Sequence, residues 1–139
     1  MERESASGTL RVARFDHLVL MVENVEESAR FYAEVCGMER RTFDDTRVAM
    51  HFGDQKLNLD PRRADEPQPS GADFCLVTDT GPDEVVNHLR QLGVRIGAGP
   101  VRRHGACGPM ISVYVLDPDG NIVELASYAA PLADAEGSR

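Results

Sequence analysis

Between residues 14 and 60, the apolar and polar positions predict a strand, a helix and three further strands. Both faces of Phe15–Val22 are apolar, which is typical of a strand covered on both sides, so we expect a central strand. Asn24, with Glu27 three positions later, predicts a helix N-cap, and apolar residues recur at helical spacing as far as Gly37. Short strands bounded by turn residues are predicted at Met38–Phe43, Arg47–Phe52 and Gln55–Asp60.

The same order of elements recurs between residues 72 and 128. A strand is predicted at Asp73–Thr78, and a helix begins at Pro82 and ends near Gly93. Further strands are predicted at Val94–Ala98, Met110–Asp117 and Ile122–Ser127. The sequence therefore predicts an α+β fold with two βαβββ modules.

The remaining segments lack an apolar period. The proline-rich segment 61–71 is predicted to be a surface linker between module 14–60 and module 72–128. Residues 1–13 are expected to form a disordered N-terminal tail and residues 129–139 a flexible C-terminal tail. The modules together would form a single domain at 14–128.

Composition narrows the classes of partner and compartment. The chain has 139 residues, 42% of them apolar and 27% charged, as in an ordinary globular domain. A net charge of −8 disfavours nucleic acid and anionic membrane surfaces as partners. The chain has three cysteines, an odd number, which argues against a disulfide framework and for a reducing compartment. No apolar run is long enough to span a bilayer, so we expect a cytoplasmic protein.

Alignment of the two repeats places His17 opposite Asp73 and Asp60 opposite Glu124. Glu124 lies among apolar residues of a predicted core strand, and burying an ionised carboxylate costs several kcal/mol unless a cation accompanies it. The four residues are therefore candidate metal ligands. Purely structural alternatives remain. His17 could be a hydrogen-bonded core histidine, Asp73 a strand-edge cap for the linker, and Asp60 the last residue of its strand.

Four segments carry a resemblance to a known family: FDHLVLMV, the helix SARFY that ends at Cys36–Met38, FGDQKLNLD, and YVLDPDGNIVE at Tyr114–Glu124. On these segments the chain resembles the vicinal oxygen chelate superfamily, and the resemblance covers about Phe15–Tyr128. That superfamily contains glyoxalase I, fosfomycin-resistance and bleomycin-resistance proteins, and extradiol dioxygenases. FGDQKLNL and the loop from Gly99 to Pro109 are similar to a glyoxalase-domain-containing subgroup.

The resemblance implies that the modules lie edge to edge in a curled mixed sheet that forms a cup around a metal. His17 matches the family's first-strand histidine and Glu124 its last-strand glutamate. Asp60 matches a position that is often His, Glu or Gln, and Asp73 falls where glyoxalases and extradiol dioxygenases carry His. One imidazole and up to three carboxylates suit Mn²⁺ or Mg²⁺ and do not exclude Fe²⁺, Ni²⁺ or Zn²⁺. We expect one divalent metal per site.

The expected function is that of a metal-dependent enzyme acting on a small molecule, with the metal as a Lewis acid. Lyase, isomerase and dioxygenase chemistry all remain open. The alternative is a metal-free binding protein of the bleomycin-resistance kind, and a third interpretation is an interaction module whose cup is filled with side chains. The resemblance and an exposed strand edge also predict a homodimer, in which each site draws ligands from one chain or from two.

Other polar residues are candidates for catalysis and substrate binding. Glu124 and His51 are the catalytic candidates, and His51 is a potential proton shuttle because an imidazole titrates near neutrality. Arg102, Arg103 and His104 lie in a glycine-rich basic segment, Gly97–Pro109. That segment either is a flexible loop that closes over an anionic substrate or is no more than a long hairpin.

Overall fold

The computed structural model of the chain describes residues 9–63, 65 and 71–128. The predictions for residues 1–8, for much of the linker and for residues 129–139 lie outside the described residues. Residues 9–16 are exposed and belong to no helix or strand. The regular elements therefore begin at His17 and end at Ser127.

The chain forms the predicted βαβββ order twice. The first module contains β1 (His17–Val22), α1 (Val25–Glu34), β2 (Glu39–Phe43), β3 (Arg47–Phe52) and β4 (Gln55–Pro61). The second contains β5 (Asp73–Val77), α2 (Pro82–Gln91), β6 (Ala98–Gly105), β7 (Gly108–Leu116) and β8 (Ile122–Ser127). The predicted N-cap is confirmed, because the Asn24 side chain accepts a hydrogen bond from the Glu27 amide at 2.9 Å.

Each module forms its own four-stranded mixed sheet. The strand orders are β1-β4-β3-β2 and β5-β8-β7-β6, and in each sheet only the first pair of neighbours is parallel. Among the described residues, no strand of one sheet pairs with a strand of the other. Each module therefore leaves its first strand, β1 or β5, at a sheet edge.

The prediction that β1 is a central strand covered on both faces is wrong for a single chain. Leu20 and Val22 are buried, but Leu18 is 36% exposed and Val19 is 42% exposed. Within one chain, the apolar residues of β1 are therefore covered on the core side only. The apolar pattern of β1 therefore extends to side chains that remain partly exposed in one chain.

One hydrophobic core joins the two modules through their helices. Alternate residues of both sheets pack with Tyr32 of α1 and Leu89 of α2 in a single buried cluster. Side chains alternate along a strand, so the remaining residues of each sheet form a second face. We call these the open faces of the first and second sheets, and both point away from the shared core.

The region after α2 differs from the prediction. Residues 94–97 form no strand, so the predicted strand Val94–Ala98 is wrong, and the half-buried Val94 and Ile96 pack against the core instead. Most of the basic segment forms the β6–β7 hairpin with a two-residue turn, Ala106–Cys107. Its closure over an anionic substrate stays a prediction. Its register shifts after Ala98, where Gly99 approaches Ser112 so closely that an added methyl group would overlap the Ser112 carbonyl oxygen.

The structure also describes the state of the cysteines and the length of the helices. Cys36, Cys75 and Cys107 are all free thiols. Within the part of the chain that the structure describes, no helix is long and apolar enough to cross a bilayer.

Candidate functional site

His17 begins β1 and stands on the open face of the first sheet. Its Nδ1 lies 2.8 Å from Asp16 Oδ1, and because an ionised carboxylate only accepts hydrogen bonds, Nδ1–H is the donor. That hydrogen bond lowers the pKa of the Asp16 carboxyl, which keeps it ionised. The tautomer so fixed leaves Nε2 with its lone pair. An imidazole held by a carboxylate in this way is the usual form of a metal-binding histidine.

Glu124 stands on the open face of the second sheet, on β8. Ser112 of β7 is completely buried, and its hydroxyl donates a hydrogen bond of 2.5 Å to Glu124 Oε2. The bond fixes the carboxylate and leaves Oε1 available to a cation or a substrate. Both surest ligand candidates are therefore oriented by a neighbouring side chain.

Strand register corrects the alignment of the two repeats at their last strands. His17 pairs with Lys56 and Asp73 with Ile122, so the position equivalent to Glu124 is Asn58. Asp60 is instead equivalent to Ala126, two residues further along the strand. The predicted equivalence of Asp60 and Glu124 is therefore wrong by two residues, a shift that keeps the same face.

Asn58 is a site residue that the sequence analysis missed. It is 4% exposed, lies on the open face between Val19 and Ala49, and its Oδ1 has no hydrogen-bond partner among the described residues. A buried amide oxygen without a partner costs free energy, on the order of 1–3 kcal/mol. Internal symmetry with Glu124 would have identified it, but only once the register was known.

Asp60 and Asp73 are placed less favourably for a shared metal. Arg47 donates to both Asp60 carboxylate oxygens at 3.2 and 3.3 Å, so Asp60 already has a cationic partner. Asp60 also lies four residues beyond the His17–Lys56 row, roughly 13 Å along the strands. Asp73 is exposed, at the start of edge strand β5.

A single chain does not assemble the predicted ligand set. Within residues 9–63, 65 and 71–128, no three His, Cys, Asp or Glu side chains are close enough to hold a metal ion together. His17 and Asp60 belong to the first open face, Asp73 and Glu124 to the second. The ligand roles of all four residues remain predictions.

His51 lies on the first open face in a row across the sheet. Lys56 is its neighbour on β4 and Glu39 its neighbour on β2. Partial burial, and then the positive charges of Arg41 and Lys56, lower the pKa of His51. The imidazole is therefore neutral at physiological pH, as a proton acceptor requires, and its catalytic role remains a prediction.

The three basic residues of the hairpin do not act as one group. They alternate along β6, so Arg102 lies on the core side, 9% exposed, whereas Arg103 lies on the open face. Arg103 Nε donates to Tyr114 Oη at 2.8 Å, and His104 is exposed. The two arginines therefore lie on opposite faces of β6, and Arg103 is the one that shares a face with Glu124. The substrate-binding roles of Arg102, Arg103 and His104 remain predictions.

Cys75 is the direct neighbour of Glu124 on β5. Burial, and then the Glu124 carboxylate, raise the pKa of this thiol to about 11. At neutral pH it is therefore a protonated thiol beside the candidate carboxylate. The sequence analysis did not select Cys75, because its position opposite Glu124 depends on the parallel β5–β8 register.

A cleft of about 740 Å³ opens where the first turn of α1 meets the ends of β2, β3 and β4. Glu26 and Arg40 line it and form a two-point ion pair at 2.6 and 2.8 Å. Arg47 and Asp60 also line it, so the cleft adjoins the first open face. Its volume is in the range of small-molecule sites, roughly 300–1,000 Å³.

Comparison with known families gives one match over most of the chain. Residues 14–125 match the model of the Glyoxalase/Bleomycin resistance protein/Dioxygenase superfamily. The matched region contains both modules, His17 and Glu124.

Individual relatives agree with that match. The virulence protein STM3117 of Salmonella typhimurium is 42% identical over 123 residues, which are 84% of this chain and 85% of that protein. Its crystal structure superposes with a TM-score of 0.80 and covers 86% of this chain and 99% of that one.

Two further proteins are similar over most of their length. The glyoxalase domain-containing protein RDO1 of Mycosarcoma maydis is 38% identical over 86% of this chain and 70% of its own. An integron cassette protein from V. cholerae, VCH_CASS1, is 38% identical with a TM-score of 0.78, covering 86% of this chain and 98% of that one. The two-module α+β fold is therefore shared with these relatives.

Proposed function

Because the chain belongs to the glyoxalase/bleomycin resistance protein/dioxygenase superfamily, we propose that it is a divalent-metal-dependent enzyme acting on a small, oxygen-rich molecule. One observation carries the proposal: both His17 and Glu124 are already oriented by a neighbour, Asp16 and Ser112 respectively. In metal sites, a side chain that binds the ion is typically held in position by a hydrogen bond to a second residue.

The donor set fits a divalent ion. His17 would contribute Nε2 and Glu124 would contribute Oε1, a nitrogen and oxygen pair that Mn²⁺, Mg²⁺, Fe²⁺, Ni²⁺ and Zn²⁺ all accept. Such an ion would supply Lewis-acid polarisation of adjacent substrate oxygens. Asp73 would be a third ligand from the second open face, and Asp60 would become one only by giving up Arg47.

We propose that two copies of the chain complete each site. The edge strands β1 and β5 each expose apolar residues, with Val19 42% and Val77 60% exposed. Pairing β1 of one chain with β5 of another would cover both edges and bring a His17 towards the other chain's Glu124. A homodimer related by two-fold symmetry then contains two such sites.

The chain's own groups would perform the proton chemistry. Glu124 would take up or release a proton of the bound substrate at Oε2, where the Ser112 hydroxyl occupies only one lone pair, while Oε1 would face the ion. His51 would exchange that proton with solvent, since its lowered pKa keeps it neutral near pH 7. Arg103 would meet the substrate on the Glu124 side, and His104 and Arg102 would be left outside this cup. Lyase, isomerase and dioxygenase reactions are all compatible with these roles.

The alternative function is a metal-free binding protein that sequesters a drug or another small molecule in the same cup. One observation favours it: the described residues of one chain bring no three ligands together. A metal-free binding protein would not need His17 and Glu124 to be oriented by Asp16 and Ser112, and for that reason we place this function second. We further propose that either function is exercised in the cytoplasm, since the three cysteines are unpaired.

The test is metal binding by His17→Ala and Glu124→Ala proteins, measured separately and after mixing, by calorimetry with Mn²⁺ and Zn²⁺. Each variant alone is expected to lose high-affinity binding. If two chains share each site, the mixture regains roughly a quarter of the wild-type sites, because half the dimers are mixed and each has one intact site. Full metal binding by either variant alone would refute the proposed ligands, and no recovery on mixing would place each site within one chain.

A further inference from the structure

Lys56 is the single lysine of the chain: of its 15 lysine and arginine residues, all others are arginines. It lies half-buried on β4, on the open face of the first sheet. Its ammonium lies 4.0 Å from the centroid of the Phe43 ring. Among the described residues no carboxylate forms an ion pair with it, whereas Arg41 on the same face is paired with Glu39 at 2.8 Å.

A second cation approaches the same aromatic ring. The Arg47 guanidinium lies 4.7 Å from the Phe43 centroid, and its carboxylate partner is Asp60 at 3.2 Å. Two cationic groups therefore contact the Phe43 ring, and among the described residues only Arg47 has a carboxylate partner. Two cations gathered on a half-buried surface repel each other unless an anion lies close to both.

The Lys56 side chain lies on the same face as Asn58, a buried residue two positions along β4. Lys56 pairs with His51, whereas Phe43 pairs with Arg47, four residues or roughly 13 Å along the strand. The side chain therefore reaches along the open face, past Asn58, to meet the ring. Asn58 lies between Lys56 and Asp60 on the same strand, and within the part of the chain that the structure describes its buried Oδ1 has no hydrogen-bond partner.

We propose that Lys56 and Arg47 form a subsite for an anionic oxygen group, a carboxylate or a phosphate, of the small molecule that this protein binds. The amide oxygen of Asn58 accepts a hydroxyl or N–H donor from the same molecule. That this molecule is the enzyme's substrate rests on the proposed function, but the anion subsite itself does not.

The chemistry of the three side chains matches such a group. An ammonium and a guanidinium can each donate a charge-assisted hydrogen bond to a different oxygen of one carboxylate or phosphate. Asn58 lies on the same face two residues from Lys56, so an anion held by Lys56 and Arg47 would place the rest of the ligand near the Asn58 amide. The cleft that Arg47 and Asp60 line provides adjacent space. The lowered pKa of His51, to which the charges of Arg41 and Lys56 contribute, is consistent with a positive local potential.

The single lysine makes a direct test possible. Reductive methylation with ¹³C-formaldehyde labels Lys56 and the N-terminal amine, and their signals are distinguishable because their pKa values differ by roughly 2–3 units. Succinate and inorganic phosphate are titrated separately at constant ionic strength, into the wild-type protein and into His17→Ala. A saturable shift of the Lys56 signal with either anion supports the subsite and identifies the preferred group. A Lys56 signal that responds to neither anion more than to chloride overturns it.

Two variants provide matched controls. Arg47→Gln is expected to weaken anion binding about tenfold or more, because one donor is lost and Asp60 becomes available to pair with Lys56. Arg41→Gln, on the same face but paired with Glu39, is expected to leave the affinity unchanged. Equal affinity of the Arg47→Gln and wild-type proteins would contradict the two-cation subsite. The His17→Ala protein lacks a proposed metal ligand. If it still binds the anion, the subsite is supported even where the proposed enzyme function is refuted.

The contribution of Asn58 is tested with malate, which adds one hydroxyl to succinate. Malate is expected to bind the wild-type protein more tightly than succinate, and Asn58→Ala is expected to abolish that difference while retaining the response to succinate. Equal binding of both diacids by the wild-type protein would remove Asn58 from the subsite.

Discussion

The Tyr32 hydroxyl of α1 donates a hydrogen bond of 2.6 Å to Asp117 Oδ2, across 85 residues of sequence and between the two modules. Tyr32 is completely buried and Asp117 is 5% exposed. Asp117 also accepts hydrogen bonds from the backbone amides of Asp119 and Asn121, and from the Asn121 side chain at 2.8 Å. A buried carboxylate with this many donors fixes the turn before β8 and, through Tyr32, the position of that turn against the first module.

Replacement of Tyr32 by phenylalanine is therefore expected to destabilise the fold by about 1.5–3 kcal/mol, the usual cost of losing a hydrogen bond to a charged group. The measurement is urea unfolding followed by circular dichroism. Tyr114→Phe, which removes a hydroxyl that accepts from Arg103, is the control. It should cost less than about 1 kcal/mol, because Tyr114 and Arg103 are only partly buried and water can replace the lost partner. Equal stability of Tyr32→Phe and wild type would mean that the other donors hold Asp117 without Tyr32.

The fold was largely predictable because its signals are local. The Asn24 cap, the proline at the start of α2 and the alternation along β3 and β4 each depend on a few adjacent residues. The exposed apolar face of β1 was not predictable, because whether a strand is central or at an edge depends on what lies beside it. Glycine-rich composition suggested a loop where β6 in fact pairs with β7.

The site was only partly predictable, because it depends on register. His17 and Glu124 were identified from residue type and position, but the equivalence of Asn58 with Glu124 required the parallel pairings of β1 with β4 and of β5 with β8. A shift of two residues keeps the same face, so alternation alone did not reveal the error at Asp60. The contact of Lys56 with Phe43 joins strands that are not adjacent in the sheet, and no local pattern reports it.

The Asp16 carboxylate gives a second prediction. Asp16→Ala removes the acceptor that fixes the His17 tautomer, so metal affinity is expected to fall roughly 10–100-fold, as for other second-layer partners of metal-binding histidines. The dissociation constant is measured by calorimetry. Asp54→Ala is the control, because Asp54 is an exposed aspartate whose described ion pair is with Arg14. A metal affinity that responds equally to both substitutions would argue for a general charge effect instead of a specific hydrogen bond.

The Ser112 hydroxyl gives a third prediction. Ser112→Ala removes the hydrogen bond that holds Glu124 Oε2 and leaves the buried methylene in place, so the fold should be retained. Metal affinity is expected to fall about tenfold, because the carboxylate then samples other rotamers. Thermal unfolding within a few degrees of wild type, together with weaker metal binding, is the expected pair of results. Unchanged affinity would show that Glu124 is oriented by its surroundings alone.

The last prediction concerns the thiol beside Glu124 and requires no metal. Burial, and then the negative charge of Glu124, raise the pKa of Cys75 to about 11, so at pH 8 about one molecule in a thousand carries the reactive thiolate. Glu124→Gln removes the charge but keeps the shape, so the thiol pKa should fall and iodoacetamide alkylation of Cys75 at pH 8 should become several times faster. Mass spectrometry of the peptides gives the rate at each cysteine, and Cys107, exposed in the β6–β7 turn, serves as the internal control. Parallel acceleration of Cys75 and Cys107 would indicate general loosening of the second sheet, and an unchanged Cys75 rate would show that the Glu124 charge does not act on the thiol.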